Sequence, residues 1–353
     1  MTALRTRKPT GAVPWPLILI EGSEKAGKSW ACAEFTASDK IGQAYWLDLG
    51  EGAADEYAAI PGANYLVIDH DGTWRDIVEQ VEAVRGEAQR AHDAGERPVV
   101  LVIDSMTAEW DLLKAWTQER ANRSNAGKRA LERDPDAEVK PPFNLWNDAN
   151  ARHGKLMHLL MTFPGIVLVT ARGKEVAAMD SGGRPIANTK EYKVEGHKTL
   201  AFDATAWVRL SRGADPLVVG IRSTIEGVKV DPREEPKPWP AFSVEALVFE
   251  QMQCDPSRTR VRALQRTSTV DVPEGFGRAP EAIAAADAKG LARIAEWVGR
   301  PEYASLPQTA ELLRLVAERE AVLAGAVPPV PSHDEAVSAV ASELGGTTTE
   351  DAA

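Results

Sequence analysis

Residues 17–30 read LILIEGSEKAGKSW, an apolar run from Leu17 to Ile20 that flows into Gly22 and then, at phosphate-loop spacing, into Gly27, Lys28 and Ser29. A buried strand entering a glycine-punctuated turn, followed by the helix-like WACAEFTAS, has the local context that a phosphate loop requires. Gly22 and Gly27 permit a tight backbone path through Ser23, Glu24, Lys25 and Ala26 that turns successive N–H groups inward. The helix entered at Lys28, Ser29 and Trp30 adds the positive end of its dipole. Lys28 is a compact charge for terminal phosphates, and the Ser29 hydroxyl is an oxygen ligand for Mg2+. The segment predicts a nucleoside triphosphate site.

Working outward, short β-rich runs alternate with helical patterns, which predicts an α/β fold with a mostly parallel central sheet. The expected strands are residues 17–20, 44–49, 65–68, 99–103, 166–170, 206–210 and 217–221. Between the third and fourth, Ile77, Val78, Val81 and Val84 recur at helical spacing, so an amphipathic helix is expected there, ending near Gly95. Residues 1–14 read as a flexible N-terminal segment and 15–253 as the core, interrupted by a polar insertion or mobile loop at about 120–142. Residues 254–279 read as a basic linker and 280–323 as a small helical module. In that module Leu291, Ile294, Ala295 and Val298 share one helical face, and Leu312, Leu313, Val316 and Leu323 continue in a second helix. Residues 324–353, rich in small residues and proline and free of Lys and Arg, read as a disordered acidic tail.

Composition narrows the function classes. A chain of 353 residues that is 44% apolar has material for one large α/β domain and a smaller appendage. No apolar stretch reaches the roughly 18 residues of a membrane span, and MTALRTRKPTGAVPWP lacks the apolar centre of a signal peptide, so a cytoplasmic protein is expected. Cys32 and Cys254 read as small core residues, and His70, His153 and His158 show no metal-ligand spacing. The net charge of -11 argues against a globally basic nucleic-acid coat but says nothing of local patches.

The second half of the nucleotide site is expected in VVLVIDSMT. Five apolar residues ending in Asp104 fit a central strand that carries a carboxylate to its C-terminal end, where it would hold Mg2+ through water.

Two segments carry a resemblance. The loop GSEKAGKS has Glu24 at its third position, and the second strand runs into WLDLGEGAADEY; together they resemble the RecA-family recombinases. That resemblance implies that Glu51 activates the attacking water and that Asp55 and Tyr57 contact adenine, with Tyr57 one residue nearer than the family spacing. Asp48 is a rival base, and a plain surface turn is the alternative for Glu51. The strand GIVLVTARGKE puts Thr170 and Arg172 where the family carries a polar sensor, without its usual glutamine. With VIDSMT and AFDATAWVRL, residues 15–250 resemble phage RecA-like ATPases, the Sak-type single-strand annealing and recombination proteins. The resemblance implies ATP and Mg2+ as cofactors and an ATPase acting on single-stranded DNA beside a single-strand-binding protein. It also implies a homo-oligomer whose neighbour completes the site, with Arg172, Lys174, Arg209 and Arg222 as unranked finger residues.

DNA contact is expected first from the glycine-bearing basic loop at about 173–199. Lys174, Arg184, Lys190, Lys193 and Lys198 would track phosphates there, and Tyr192 offers a stacking face; a solvated β-hairpin fits the same residues. Arg120, Arg123, Lys128, Arg129 and Arg133 form a second basic group, followed by acidic residues. Trp110, Trp116 and Trp146 read as core packing. Two other readings stay open: a phosphate-loop motor or helicase loader of another branch, and a nucleotide-gated scaffold without turnover. Ser105 and Met106 after Asp104 disfavour a branch whose base neighbours that aspartate.

Overall fold

A computed structural model describes residues 6–180, 182–222, 235–236, 238–264, 273–304 and 306–324. The strands are β1 (Leu17–Gly22), β2 (Ala44–Asp48), β3 (Tyr65–Val67), β4 (Val100–Asp104), β5 (Ile166–Met179), β6 (Pro185–Glu195), β7 (Ala206–Leu210) and β8 (Leu217–Ile221). They lie in the order β3-β2-β4-β5-β1-β7-β8, with β6 hairpinned onto β5. Pairing is parallel from β3 through β7 and antiparallel at β7–β8 and β5–β6. The fold is the α/β arrangement around a mostly parallel sheet that the sequence predicts.

The apolar runs explain why the sheet is central. All six residues of β1 and all five of β4 are buried, the pattern of strands covered on both faces. Alternate residues feed two cores, with Ile18, Ile20, Val100, Val102 and Leu168 on one face and Leu17, Leu19, Leu101, Ile103 and Val169 on the other. Helix α1 (Lys28–Phe35) and the short α2 (Ala54–Tyr57) cover the first face with Cys32, Phe35 and Ala54. On the second face lie α3 (Trp74–Asp93), through Ile77, Val81 and Val84, and the first residue of α4 (Met106–Asn122).

The polar stretch at 120–142, expected as an insertion or mobile loop, is in part helical. Helix α4 runs through its first residues, and α5 (Asn125–Arg133) follows after one turn, because the Ser124 hydroxyl accepts the Gly127 amide and caps it. Then α6 (Phe143–Met161) returns to the sheet with Leu156, Met157 and Leu160, and the short α7 (Leu200–Asp203) precedes β7. Residues 254–263, expected as linker, belong to the first of two compact units, which ends at Ala263. Cys254 is in the core and Arg260 bridges to Pro14, with the Trp15 amide donating to the Arg260 carbonyl.

The second unit contains α8 (Ala279–Ala285), α9 (Ala288–Val298) and α10 (Pro307–Leu323). Leu291, Val298, Leu312 and Val316 make its core, where Phe276, Trp297 and Tyr303 meet edge to face. Leu313 and Leu323 are exposed, because they fall off the buried face of α10. The expected tail, from 325 onward, lies outside the described residues, as do residues 265–272 of the expected linker.

Register places the phosphate loop. Gly22 pairs with Arg172 on one side and Leu210 on the other, so the chain leaves β1 through a narrow slot. A Cβ on Gly22 would lie 2.1 Å from the Leu210 carbonyl oxygen. The first glycine is thus needed for strand packing, whereas Gly27, at φ 92°, is needed for its left-handed backbone. Gly22→Ala is expected to destabilise the fold by about 1–3 kcal/mol in urea denaturation. A wild-type midpoint would show that β7 does not approach this closely.

Candidate active site

The C-terminal ends of β1, β2 and β4 and the middle of β5 converge on a cleft of about 470 Å³. Gly22, Glu24 through Ser29, Glu51, Tyr57, Asp104, Arg172 and Lys174 line it, so the phosphate loop, the second-strand turn and the Asp104 strand meet there. Ligands bind at this edge of parallel sheets because the loops leaving the strands diverge around it.

Gly27 caps α1 without a side-chain hydrogen bond to its first turn, which also lacks acids. Amides at such an end are the usual partners of phosphate oxygens. The Lys28 ammonium donates to the carbonyls of Gly22 (3.1 Å) and Ser23 (2.8 Å). Burial lowers its pKa, and Asp104 and Glu51 work against that shift.

Asp104 is buried at 2% exposure. Its Oδ1 accepts from the Thr170 hydroxyl, while Oδ2 has no hydrogen-bond partner among the described residues. Burial raises its pKa, and the hydroxyls of Ser29 and Thr170 pull the other way. An orphaned carboxylate oxygen beside a serine hydroxyl is a hard-oxygen donor set that fits Mg2+, which needs one or two carboxylates and otherwise takes waters and phosphate oxygens. Thr170 is fully buried and turned to Asp104, so it orients that carboxylate and does not line the cleft.

Glu51 lies where the loop after β2 crosses the cleft. Its Oε1 accepts from Ser105 Oγ (3.0 Å) and Arg172 Nη2 (2.9 Å). Asp48, the rival base, spends its carboxylate on the amides of Glu51 (2.9 Å), Gly52 (3.0 Å) and Ala54 (3.2 Å), which shapes the turn that carries Glu51. Arg172 is fixed in turn through its amide, which donates to Thr107 Oγ1 at 2.9 Å, and Thr107 donates to the Glu195 carbonyl. Tyr57 reaches the cleft and meets the half-exposed Trp30 edge to face at 6.2 Å. Asp55, in the first turn of α2, is exposed and does not line the cleft.

The basic loop expected at 173–199 is the β5–β6 hairpin, and its two faces differ. Arg172, Lys174 and Val176 pair with Glu195, Lys193 and Glu191 on one face, beside a second cavity of about 560 Å³ shared with Trp110 and Lys114 of α4. Lys190 lies on the other face, ion-paired with Glu175 at 2.7 Å. Tyr192, expected to stack on a base, also lies there, and the Arg209 guanidinium covers its ring at 3.9 Å. That face of the ring is closed to a base, which corrects the expectation. Arg184 and Lys198 are exposed.

Glu21, one residue before the loop, is a site residue that the sequence reading missed. It is fully buried, and its Oε1 accepts from Arg209 Nε (2.7 Å) and Trp207 Nε1 (3.1 Å). Burial raises its pKa, opposed first by Arg209. Gly173 opens the space that Glu21 Oε2 and the Tyr192 phenol share, since a Cβ there would lie 2.2 Å and 2.8 Å from them. Burial and Glu21 push the phenol up to about 12. The available signal was an acid inside LILIEG, where an apolar run does not tolerate an unpaired charge. Arg209, a finger candidate, is committed to Glu21 with 17% of its side chain exposed.

No protein-family profile and no curated protein matches the chain. Among solved structures it is similar to a prototypical ATPase from the type III secretion system of pathogenic bacteria, at 17% identity and a TM-score of 0.34. That match covers 57% of this chain and 54% of the other, so the chain spans about half of the secretion ATPase. It is also similar to the RadB recombinase at 12% identity and a TM-score of 0.33, over 64% of this chain and 86% of that one. The site is read from its own geometry.

Asp104 supplies a pH test. Below its unfolded pKa of 3.8 the carboxyl is neutral in both states, and as pH rises through the raised folded pKa the native state must hold a desolvated charge. Asp104→Asn removes that cost, so the nucleotide-free variant is expected to be more stable than wild type at pH 8, by about 1–3 kcal/mol. The gain should narrow in thermal denaturation as pH falls toward the unfolded value of 3.8. A gain independent of pH would show that Asp104 is not desolvated.

Proposed function

We propose that this chain binds ATP with Mg2+ and hydrolyses it, and that it acts on single-stranded DNA as a RecA-like protein of phage recombination or replication. The convergence of Lys28, Ser29, Asp104 and Glu51 on one cleft carries the reading. In it, the uncapped N-terminus of α1 and Lys28 take the phosphates, and Tyr57 with Trp30 borders the base. Ser29 and Asp104 would hold Mg2+, which when bound neutralises charge on the phosphate oxygens. Glu51 orients a water for in-line attack and accepts its proton. Both protein donors to Glu51 converge on Oε1, which leaves Oε2 as the oxygen for that water. Arg172 bonds Glu51 and also lines the cavity beside α4, so it is the sensor that joins the two.

The resemblance to phage RecA-like proteins supports the DNA reading, and one hairpin face adds Arg172, Lys174 and Lys193 among Glu191 and Glu195. Lys174 and Lys193 border the second cavity with Trp110, an arrangement of cations beside an aromatic ring suited to a single strand. Completion of the site by a neighbouring copy leaves Arg222 of the four finger candidates, since Arg209 is paired with Glu21, Arg172 with Glu51 and Lys174 with Glu195. A single-strand-binding protein and a cytoplasmic setting belong to the same reading.

Phosphate release measured with and without oligo(dT) tests it. Lys28→Ala is expected to lose nucleotide binding and turnover, whereas Glu51→Gln should keep ATP binding and lose about 100-fold or more in turnover. Wild-type turnover should rise with oligo(dT) at low salt. Full turnover in Glu51→Gln would remove Glu51 as the base, and turnover indifferent to oligo(dT) would remove the DNA reading.

A further inference from the structure

At the opposite end of β1 from the cleft, the segment before the strand runs beside residues 255–263, joined by the Pro14–Arg260 bridge. The Arg260 amide donates to the Val13 carbonyl at 3.0 Å, and the Trp15 amide to the Arg260 carbonyl at 3.1 Å. Both segments are basic, RTRK at 5–8 and RTRVR at 258–262. Their pairing gathers Arg7, Arg258, Arg260 and Arg262 around one cavity of about 770 Å³, with no acid among the described residues of its lining. Thr259, between two of the arginines, is fully buried, while Arg258 and Arg260 are exposed on either side of it.

Among the described residues none of the four arginines makes an ion pair. Asp255, whose charge interacts with that of Arg258, accepts from the amide and hydroxyl of Ser257 through its Oδ1. Arg260 donates at 3.3 Å to the carbonyls of Ser257 and Thr259, and Arg7 to that of Lys8. Arg262 Nη2 donates to Thr205 Oγ1 at 2.9 Å, and its buried Nη1 has no partner among the described residues. Burial and the like charge of Arg222 lower the pKa of Arg262. In a chain of net charge -11, a local cluster of unpaired arginines is a strong departure from the surface average.

We propose that this arginine cavity is a second binding site, for the phosphodiester backbone of a nucleic acid, separate from the nucleotide cleft. Arginines from two chain segments match several phosphates in series, and a cavity of this size exceeds one phosphate ion. Among the described residues no aromatic side chain lines it, so recognition is by charge and independent of base sequence. The six residues of β1 place it about 20 Å from the phosphate loop. The site does not depend on the ATPase reading, and it needs no nucleotide.

The test is anisotropy of labelled oligo(dT) on the full chain, without nucleotide, across a salt series. Arg258→Ala with Arg260→Ala is expected to weaken binding about 10-fold or more and to flatten the log–log salt slope by about 0.7 per arginine. Arg258→Lys with Arg260→Lys should keep the slope, and circular dichroism should show both variants folded. Wild-type affinity and slope in the alanine pair would overturn the proposal. So would binding of inorganic polyphosphate without binding of the oligonucleotide, since the site would then serve free polyphosphate. Lys174→Ala with Lys193→Ala separates this site from the hairpin. Loss in the hairpin pair alone overturns the arginine site and spares the hairpin reading; loss in the arginine pair alone does the reverse.

Discussion

Parallel pairing of β5 with both β1 and β4 is the constraint from which the site follows. The register runs from Leu17↔Val167 to Gly22↔Arg172 on one side and from Val100↔Ile166 to Ile103↔Val169 on the other. One strand therefore levels the ends of the other two, and the phosphate loop, Asp104 and Arg172 emerge at the same edge. Slipping β5 by one residue would turn Thr170 away from Asp104 and exchange the two cores, because strand side chains alternate between faces. Burial on both faces resists that slip, since Leu168 and Val169 are each fully buried on opposite sides.

The same edge concentrates charge that the sheet does not fully solvate. Asp104 and Glu21 are buried carboxylates, each with an oxygen that has no hydrogen-bond partner among the described residues, and Lys28 is partly desolvated beside them. Groups left in this state cost stability and are characteristic of sites built to receive a ligand. Thr170 and Arg209 limit the cost by bonding one oxygen of each acid. A neutral edge would be more stable and would offer nothing to a phosphate or a divalent cation.

The β5–β6 hairpin connects this edge to the surface. One face meets the second cavity, and the other is held to the phosphate-loop strand through Tyr192, Arg209 and Glu21. Gly173 makes that approach sterically possible. Arg172, at the root of the hairpin, bonds Glu51, so displacement of the hairpin and the geometry of the cleft are mechanically linked.

Much of this was legible in the sequence where a single segment carries the physics. The apolar runs determined a two-sided sheet, since residues such as Val100 through Ile103 have no stable place outside one. The spacing from Gly22 to Ser29 determined a phosphate loop, since its geometry is local to the segment. Partners distant in the chain were not legible. That Glu51 would face Arg172 and Ser105, that Thr170 would serve Asp104, and that Tyr192 would be covered by Arg209 depend on register across strands far apart in sequence. The helix over 125–133 was hidden by its low apolar content, since Ala126, Ala130 and Leu131 are its only apolar side chains among charged and polar neighbours. Arg7 and the arginines of 258–262 were visible only in two separate basic runs. Only the tertiary structure made them one cavity, because the backbone hydrogen bonds between residues 13–15 and Arg260 bring those two segments together.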